Sequence, residues 1–232
     1  MLYRMCGRFA LTVPHEAVAE IFDVPPNPAL IGRGPRYNIC PTQEIEAVRL
    51  GEDGRELTRF RWGYIPHWFK TPSDGPLLIN ARSETIASKS AFAESARFRR
   101  CLIPASGFYE WRASAGKGKE PYWIHPSNNN DLIAWAGIWR EWEGADGQHL
   151  STCAIVTTAA SETLSSIHHR LPLSIAPDDW ALWLGEQGKG AARLMTPPTD
   201  NFWSFHQVDP IINKIRSDGP SLIEPFEETR LI

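Results

Sequence analysis

No apolar run in this 232-residue chain approaches the roughly 18 residues that a membrane helix requires, so an integral membrane protein is not expected. Met1 to Phe9 also lacks the apolar stretch of a secretory signal. Cysteine is scarce. The four residues Cys6, Cys40, Cys101 and Cys153 stand far apart and form no CxxC pair, which excludes a zinc ribbon and a thioredoxin-like motif. Reduced thiols and a cytoplasmic location follow as the expectation. Positive charge is not in excess either. The formal net charge of −3 argues against a protein that coats nucleic acid through bulk charge. Internal repeats and low-complexity tracts are absent, and 11% aromatic residues, with 10 Trp, exclude a disordered chain.

The net charge hides an asymmetry. Residues 1–100 carry 14 Lys+Arg against 11 Asp+Glu, whereas residues 101–232 carry 10 against 16. Of the 24 basic residues, 18 are Arg, the better residue for fixed bidentate phosphate contacts, although solvated surface accounts for such a bias as well. Gly/Pro-rich stretches at Pro25–Pro35, Thr71–Pro76 and Gly116–Pro121 are loop-length and none reads as a linker, so one domain is expected.

Secondary-structure signals are mixed. Thr12 is expected to cap a helix with Pro14 in its first turn and Ala17, Val18, Ile21 and Phe22 at helical spacing. Further helices are expected over Ser90–Arg99 and from Pro177 through Trp180, Trp183 and Leu184 to a stop at Gly185. Strand patterns cover Ile45–Leu50, Leu57–Trp62, Leu77–Ile79, Cys101–Ile103, Tyr122–His125, Leu132–Trp139 and Thr152–Thr158. Strands and helices do not alternate regularly, which disfavours a parallel doubly wound sheet. The expected fold class is α+β, a compact domain with a β-rich, mostly antiparallel core and peripheral helices.

Four segments could carry chemistry. In Met5-Cys6-Gly7-Arg8, translation from Met5 followed by removal of that Met makes Cys6 the first residue. An N-terminal Cys bears an amine and a thiol on adjacent carbons. Its distinctive partner is an aldehyde, which the amine converts to an imine and the thiol closes into a five-membered thiazolidine. An α-amine of ordinary pKa is already about 10–20% free base at pH 7. A neighbouring carboxylate or imidazole must then move protons. The plain alternative for Cys6 is a small buried residue.

In Leu78 to Thr85, a short strand delivers Asn80 and Arg82, suited to orienting a substrate oxygen and holding an anion, or simply closing a strand in a turn. Glu110 lies between Tyr109 and Trp111. Among aromatics its carboxyl is desolvated and suited to proton transfer; alternation equally allows it to point outward from an edge strand. In Ile167 to Pro172, His168 is a candidate acid/base group. The His168-His169 pair lacks a spaced third ligand, so no metal is expected, and no cofactor. The segment Arg61 to Lys70 mixes aromatic and basic residues. Trp62, together with Trp135 and Trp139, is assigned to the core, and Trp68 is the candidate for base stacking.

Taken together these segments resemble the SRAP family (SOS response-associated peptidase). The resemblance rests on Met5 to Arg8, Tyr37-Asn38-Ile39-Cys40-Pro41, Trp62 to Pro66, Asn80 to Thr85, Pro104 to Trp111 and His168 to Pro172, in family order over nearly the whole chain. It implies a covalent sensor of abasic sites in single-stranded DNA, whose open sugar carries an aldehyde. By motif it implies Cys6 as nucleophile, Asn80 positioning the sugar, Glu110 moving protons at the imine and His168 promoting sugar opening. Arg8, Arg82 and Arg170 are implied near phosphates, and Asn38, Pro41 and Trp68 near flanking nucleotides. The domain is expected over residues 5–228, with residues 1–4 a leader or a mis-assigned start. The leader would have to be removed, by initiation at Met5 or by autoproteolysis, before a thiazolidine can form. His169 competes with His168 for its role. A monomer is expected, cytoplasmic and nucleoid-associated when bound to DNA. The alternatives are a Cys-dependent peptidase and a non-covalent single-strand binder using Trp68 and the Arg set.

Overall fold

A computed structural model describes residues 6–114, 118–128, 132–197 and 199–227. The leader at residues 1–4, and Met5 with it, lies outside the described residues, as does the expected domain end at 228.

Two sheets build the molecule. The first takes β1 (Phe9–Leu11), β2 (Arg36–Ile39), β7 (Gly107–Ser114), β8 (Gly118–Pro126) and β12 (Trp203–Gln207), in the order β12-β8-β7-β1-β2 and antiparallel throughout. The second takes β3 (Glu44–Leu50), β4 (Arg55–Trp62), β5 (Asn80–Arg82), β6 (Arg100–Ala105), β9 (Ile133–Glu143), β10 (His149–Ala159) and β11 (Arg170–Pro172). Within it, β9 pairs with β6 on one side and β10 on the other, and β10 passes to β4. Strands β10, β4, β3, β6 and β9 therefore close on one another, which removes their free edges. The pairings of β10 with β4 and β5 are parallel, and the rest are antiparallel. The helices are short and peripheral: α1 (His15–Ile21), α2 (Ala93–Phe98), α3 (Glu162–Ser165) and α4 (Trp180–Leu184). The α+β class stands. No helix among the described residues is long and apolar enough to cross a membrane.

The first sheet is covered on both faces. Phe9 and Phe108 point into the closed strands, where Phe9 meets Trp62 and Trp135 edge-on at 5.3 and 5.2 Å and Phe108 meets Trp135 at 6.0 Å. Alternation turns Ala10 and Tyr109 to the other face, where Trp123, Val208, Ile212 and Leu222 bury them. Aromatic area dominates this core. Trp62 and Trp135 are fully buried as expected; Trp139 is half-buried, stacked on Phe60 at 5.4 Å under the Arg49 guanidinium.

Several local expectations are corrected. Helix α1 begins after Pro14, which occupies the cap position without a side-chain bond. The hydroxyl and N–H of Thr12 instead donate to Ser106 Oγ at 2.8 and 3.0 Å, because Thr12 follows β1 beside the β6–β7 turn. Helix α2 is shorter than Ser90–Arg99. The strand expected at Leu77–Ile79 sits at Asn80–Arg82, with Leu78 bridging Tyr64. Helix α4 ends as the pattern indicates, at Gly185 with φ 102°.

Gly107 marks a close approach of one strand to its neighbour's backbone. An added Cβ there would meet Ile124 O at 2.5 Å and the Trp123 ring at 2.6 Å, backbone and buried ring with no room to give. Gly107→Ala is expected to cost about 2 kcal/mol, read as a lower urea midpoint at unchanged m-value.

Candidate active site

Strand register assembles the site. Pairing of β1 with β7 sets Phe9 opposite Phe108, and Tyr109 N–H donates to Arg8 O at 2.9 Å. Continued toward the N-terminus, this alignment brings Cys6 to Glu110. The Cys6 backbone N–H donates to Glu110 Oε1 at 2.5 Å. His168 Nδ1 stands 3.7 Å from the same oxygen. The Cys6 sulfur lies 3.9 Å from Arg170 O, and that carbonyl is 3.1 Å from His168 Nδ1. Glu110 shares the barrel-facing side of β7 with Phe108, so the outward orientation that alternation allowed does not occur. Both faces of this sheet are packed, and a buried strand gives no polarity pattern to read.

Strand β10 supplies the other half. Its C-terminal stretch pairs with β5 on one side, Ile155 opposite Asn80 and Thr157 opposite Arg82, and with β11 on the other, Ala159 opposite Arg170. Asn80, Arg82 and Arg170 are thereby gathered about one strand. The Arg170 guanidinium donates to both Glu84 oxygens, at 2.5 and 2.9 Å, and to Thr157 O at 2.6 Å. Arg82 is exposed. Asn80 is half-buried.

Cys6, Glu110 and Arg170 are buried, at 3%, 4% and 8% exposure. Burial pushes the Glu110 carboxyl above the ordinary carboxylate range, against the opposing pull of His168 and the Cys6 bonds. Burial, reinforced by the Glu110 charge and its bond, holds the Cys6 thiol well above its ordinary value, with Arg170 opposing. The resting site therefore favours a neutral thiol and a carboxyl that retains its proton into a higher pH range. Such a pair exchanges protons during a reaction without a preformed thiolate. His169 is exposed, its ring 4.4 Å from that of His168, and slight desolvation and then the charges of His168, Arg170 and Arg82 lower its pKa. His168, rather than His169, faces Glu110.

An open cleft of about 750 Å³ gives access, lined by Glu110, Trp111, Ser165, His168, His169 and Asn213. A larger cavity of about 880 Å³ opens between α2 and residues 188–197, but none of Cys6, Glu110 and His168 lines it. Among the described residues no cluster of three or more His, Cys, Asp or Glu could hold a metal ion.

The remaining residues singled out in the sequence divide. Arg8 Nη1 donates to Asn38 Oδ1 at 2.8 Å and to Ile212 O at 2.7 Å, and Asn38 Nδ2 donates to Lys214 O and Ser217 O at 3.1 and 2.7 Å. Both side chains hold the segment that follows β12. Pro41 is half-buried in a turn next to Thr42, whose φ is 74°. Trp68 is 48% exposed on the loop running from β4 to β5, edge-on to His67 at 5.0 Å. Sequence reasoning passed over Asn213, which accepts from Trp111 Nε1 at 2.9 Å at the cleft rim, and Thr157, which accepts from Arg170. The segment holding Asn213 has one local mark, Asp209-Pro210, a helix-start signal: the Asp209 side chain accepts from Ile211 N and opens a single 3₁₀ turn.

Several known proteins resemble this chain over most of its length. The family model described as SOS response associated peptidase (SRAP) matches residues 5–215. The Bacillus subtilis abasic site processing protein YoqW is 33% identical over 226 residues, covering 95% of this chain and 99% of its own. The Escherichia coli abasic site processing protein YedK is 30% identical, covering 95% of this chain and all of its own. The Gallus gallus abasic site processing protein HMCES is 35% identical over 199 residues, 75% of this chain and 58% of its own. A crystal structure from Bacteroides thetaiotaomicron superposes with a TM-score of 0.85 over 96% of this chain at 22% identity, which speaks for the fold alone.

Proposed function

Since this chain belongs to the SOS response associated peptidase family, we propose that it recognises abasic sites in single-stranded DNA and captures them covalently through Cys6. The single observation that carries the reading is the contact of the Cys6 nitrogen with Glu110 Oε1 at 2.5 Å, with His168 Nδ1 on the same oxygen at 3.7 Å. The two reacting atoms of an aminothiol thus lie beside one buried proton carrier and a second titratable group at the cleft.

The chemistry runs as follows once Cys6 carries a free amine. His168 gives a proton to the ring oxygen of the closed abasic sugar, the C1′–O bond to the ring breaks, and the C1′ hydroxyl loses its proton to solvent, so that C1′ becomes an aldehyde with no net change in protons. The Cys6 amine adds to C1′, and the carbinolamine loses water with a proton from Glu110, leaving an imine. The thiol adds to the imine carbon and its proton passes, through Glu110, to nitrogen. One aldehyde and one aminothiol give one thiazolidine and one water. Asn80, the first residue of β5, positions the sugar. Arg82 and Trp68, both exposed, with half-buried Arg8 and Pro41 form the proposed strand-binding surface, while the buried Arg170, paired with Glu84, and the buried Asn38, bonded to Lys214 O and Ser217 O, hold it in place.

The amine requires cleavage between Met5 and Cys6, by initiator removal or by autoproteolysis. Two features support the second route. Cys6 has φ 38°, a left-handed backbone that costs a residue with a Cβ about 1–2 kcal/mol. Cleavage relieves it, because a first residue has no preceding carbonyl to accommodate. Glu110 also stands on the nitrogen that would leave, where its retained proton is needed.

The test is a denaturing gel. Protein whose first residue is Cys6, confirmed by mass spectrometry, is expected to give a heat-stable shifted band with single-stranded DNA containing an abasic site, and none with intact DNA. A covalent band from protein still carrying residues 1–5 would overturn the ring chemistry. Equal non-covalent shifts of intact and abasic DNA, with no covalent band, would favour a plain single-strand binder. Arg82→Ala is expected to weaken binding on every sequence and to lower the slope of log affinity against log salt by about 0.7, as one lost phosphate contact does.

A further inference from the structure

Residues 209–218 form a loop that five anchors hold against the first sheet. Arg8 grips Ile212 O at 2.7 Å, Trp111 Nε1 grips Asn213 Oδ1 at 2.9 Å, and Asn38 grips Lys214 O and Ser217 O at 3.1 and 2.7 Å. Tyr37 N–H donates to Asp218 Oδ1 at 2.7 Å, and Ile212 is fully buried. A loop so fixed could turn its apolar side chains inward. Instead Ile211 is 41% exposed and Ile215 is 64% exposed. Lys214 and Arg216 are exposed beside them. Among the described residues neither cation forms an ion pair with a carboxylate, and Asp209 and Asp218 in the same loop are turned to the backbone N–H groups of Ile211, Tyr37 and Gly219. Asn213, between the two isoleucines, lines the cleft together with Glu110 and His168.

Apolar side chains interleaved with unneutralised cations, continuous with the cleft, match the chemistry of unstacked nucleotides. A base beside an abasic sugar has lost one stacking neighbour, so an apolar face is open to solvent, and its phosphate is one bond network away. We propose that the loop over 211–216 is the docking surface for the nucleotides flanking the captured sugar. Ile211 and Ile215 cover base faces, and Lys214 and Arg216 meet the adjacent phosphates. This rests on the abasic-site reading above and adds a surface that no motif in the chain marks.

The test separates the two. Anisotropy titrations use the full chain and a single-stranded oligonucleotide carrying a tetrahydrofuran abasic analogue, which has no aldehyde and reports binding alone. The Ile211→Ser/Ile215→Ser variant is expected to bind about tenfold more weakly at every salt concentration with an unchanged salt slope. Lys214→Ala/Arg216→Ala is expected to lower the salt slope by about 1.4, the value for two single-strand phosphates. All four side chains are exposed, so folding is retained, and circular dichroism checks it. Both double variants binding within twofold of the parent, while the parent still crosslinks aldehyde-bearing DNA, would overturn the docking surface and leave the covalent reading intact. A parent protein that begins at Cys6 and neither binds the analogue nor crosslinks would sink both.

Discussion

Cys6→Ala, in protein beginning at residue 6, is expected to eliminate the heat-stable DNA adduct completely. The substitution removes the ring-closing sulfur and keeps the α-amine. An imine can still form at C1′, but it hydrolyses on heating, so nothing survives a denaturing gel. Borohydride, which reduces an imine to a stable amine, should restore a band in the variant. Non-covalent affinity is expected to persist, because the thiol is buried at 3% exposure and the strand-binding residues lie elsewhere. The fold should tolerate the change, since Cys and Ala differ by one small atom and the site is lined on one side by the Arg170 carbonyl. A heat-stable adduct from Cys6→Ala, without reductant, would remove Cys6 from the chemistry. An adduct of equal yield from an interior thiol could only be a different bond.

Glu110→Gln has the second largest expected effect, and it is double. Adduct formation should slow by about 10²–10⁴-fold, the usual range for losing a positioned proton carrier. Gln retains an oxygen that can accept from Cys6 N–H, so the backbone geometry is preserved while proton transfer is not. Stability should change in the opposite sense. The native carboxyl holds its proton to a higher pH than the unfolded one, because burial disfavours the charge. The native state therefore binds more protons across the window that begins at the ordinary carboxylate value, and stability falls as pH rises through that window. Below the window both states are protonated and no cost exists. Gln does not titrate. Thermal melts should show the variant gaining on the parent as pH rises from 4 toward neutrality, and no gain at pH 4. A constant difference between the two melts across this range would mean that Glu110 is not held above its ordinary range. Unchanged adduct kinetics would remove it from proton transfer.

Legibility differed from element to element. Helix α4 was readable because its cues are local: Pro177 at the start, aromatics at helical spacing, and a Gly with left-handed φ at the stop. Strands β3, β4, β9 and β10 are readable as strand-like runs. Strands β1, β2, β11 and β12 carry no such signal, since three to five residues of mixed character have no pattern of their own and exist because a partner strand pairs with them, while the β7 segment reads from sequence only as a possible edge strand around Glu110. Thr12 was misread for a related reason. Its local cue for a cap is real, but Ser106, 94 positions away, captures its hydroxyl.

The six ordered motifs, read along the chain, were enough to identify the SRAP family and the α+β class, because a family is a set of residue types in order and composition limits the class. They also nominated Cys6, Asn80, Glu110 and His168. Whether Glu110 points into the interior, which of two adjacent histidines faces it, and that residues 209–218 bring Asn213 to the rim of the cleft were decided only by the tertiary structure. These depend on pairings such as Phe9 with Phe108 and Ala159 with Arg170, contacts across 99 and 11 positions whose register is chosen by the packing of both sheet faces. A local pattern carries the propensity of one segment, whereas the free energy that selects a register belongs to two segments and the core between them.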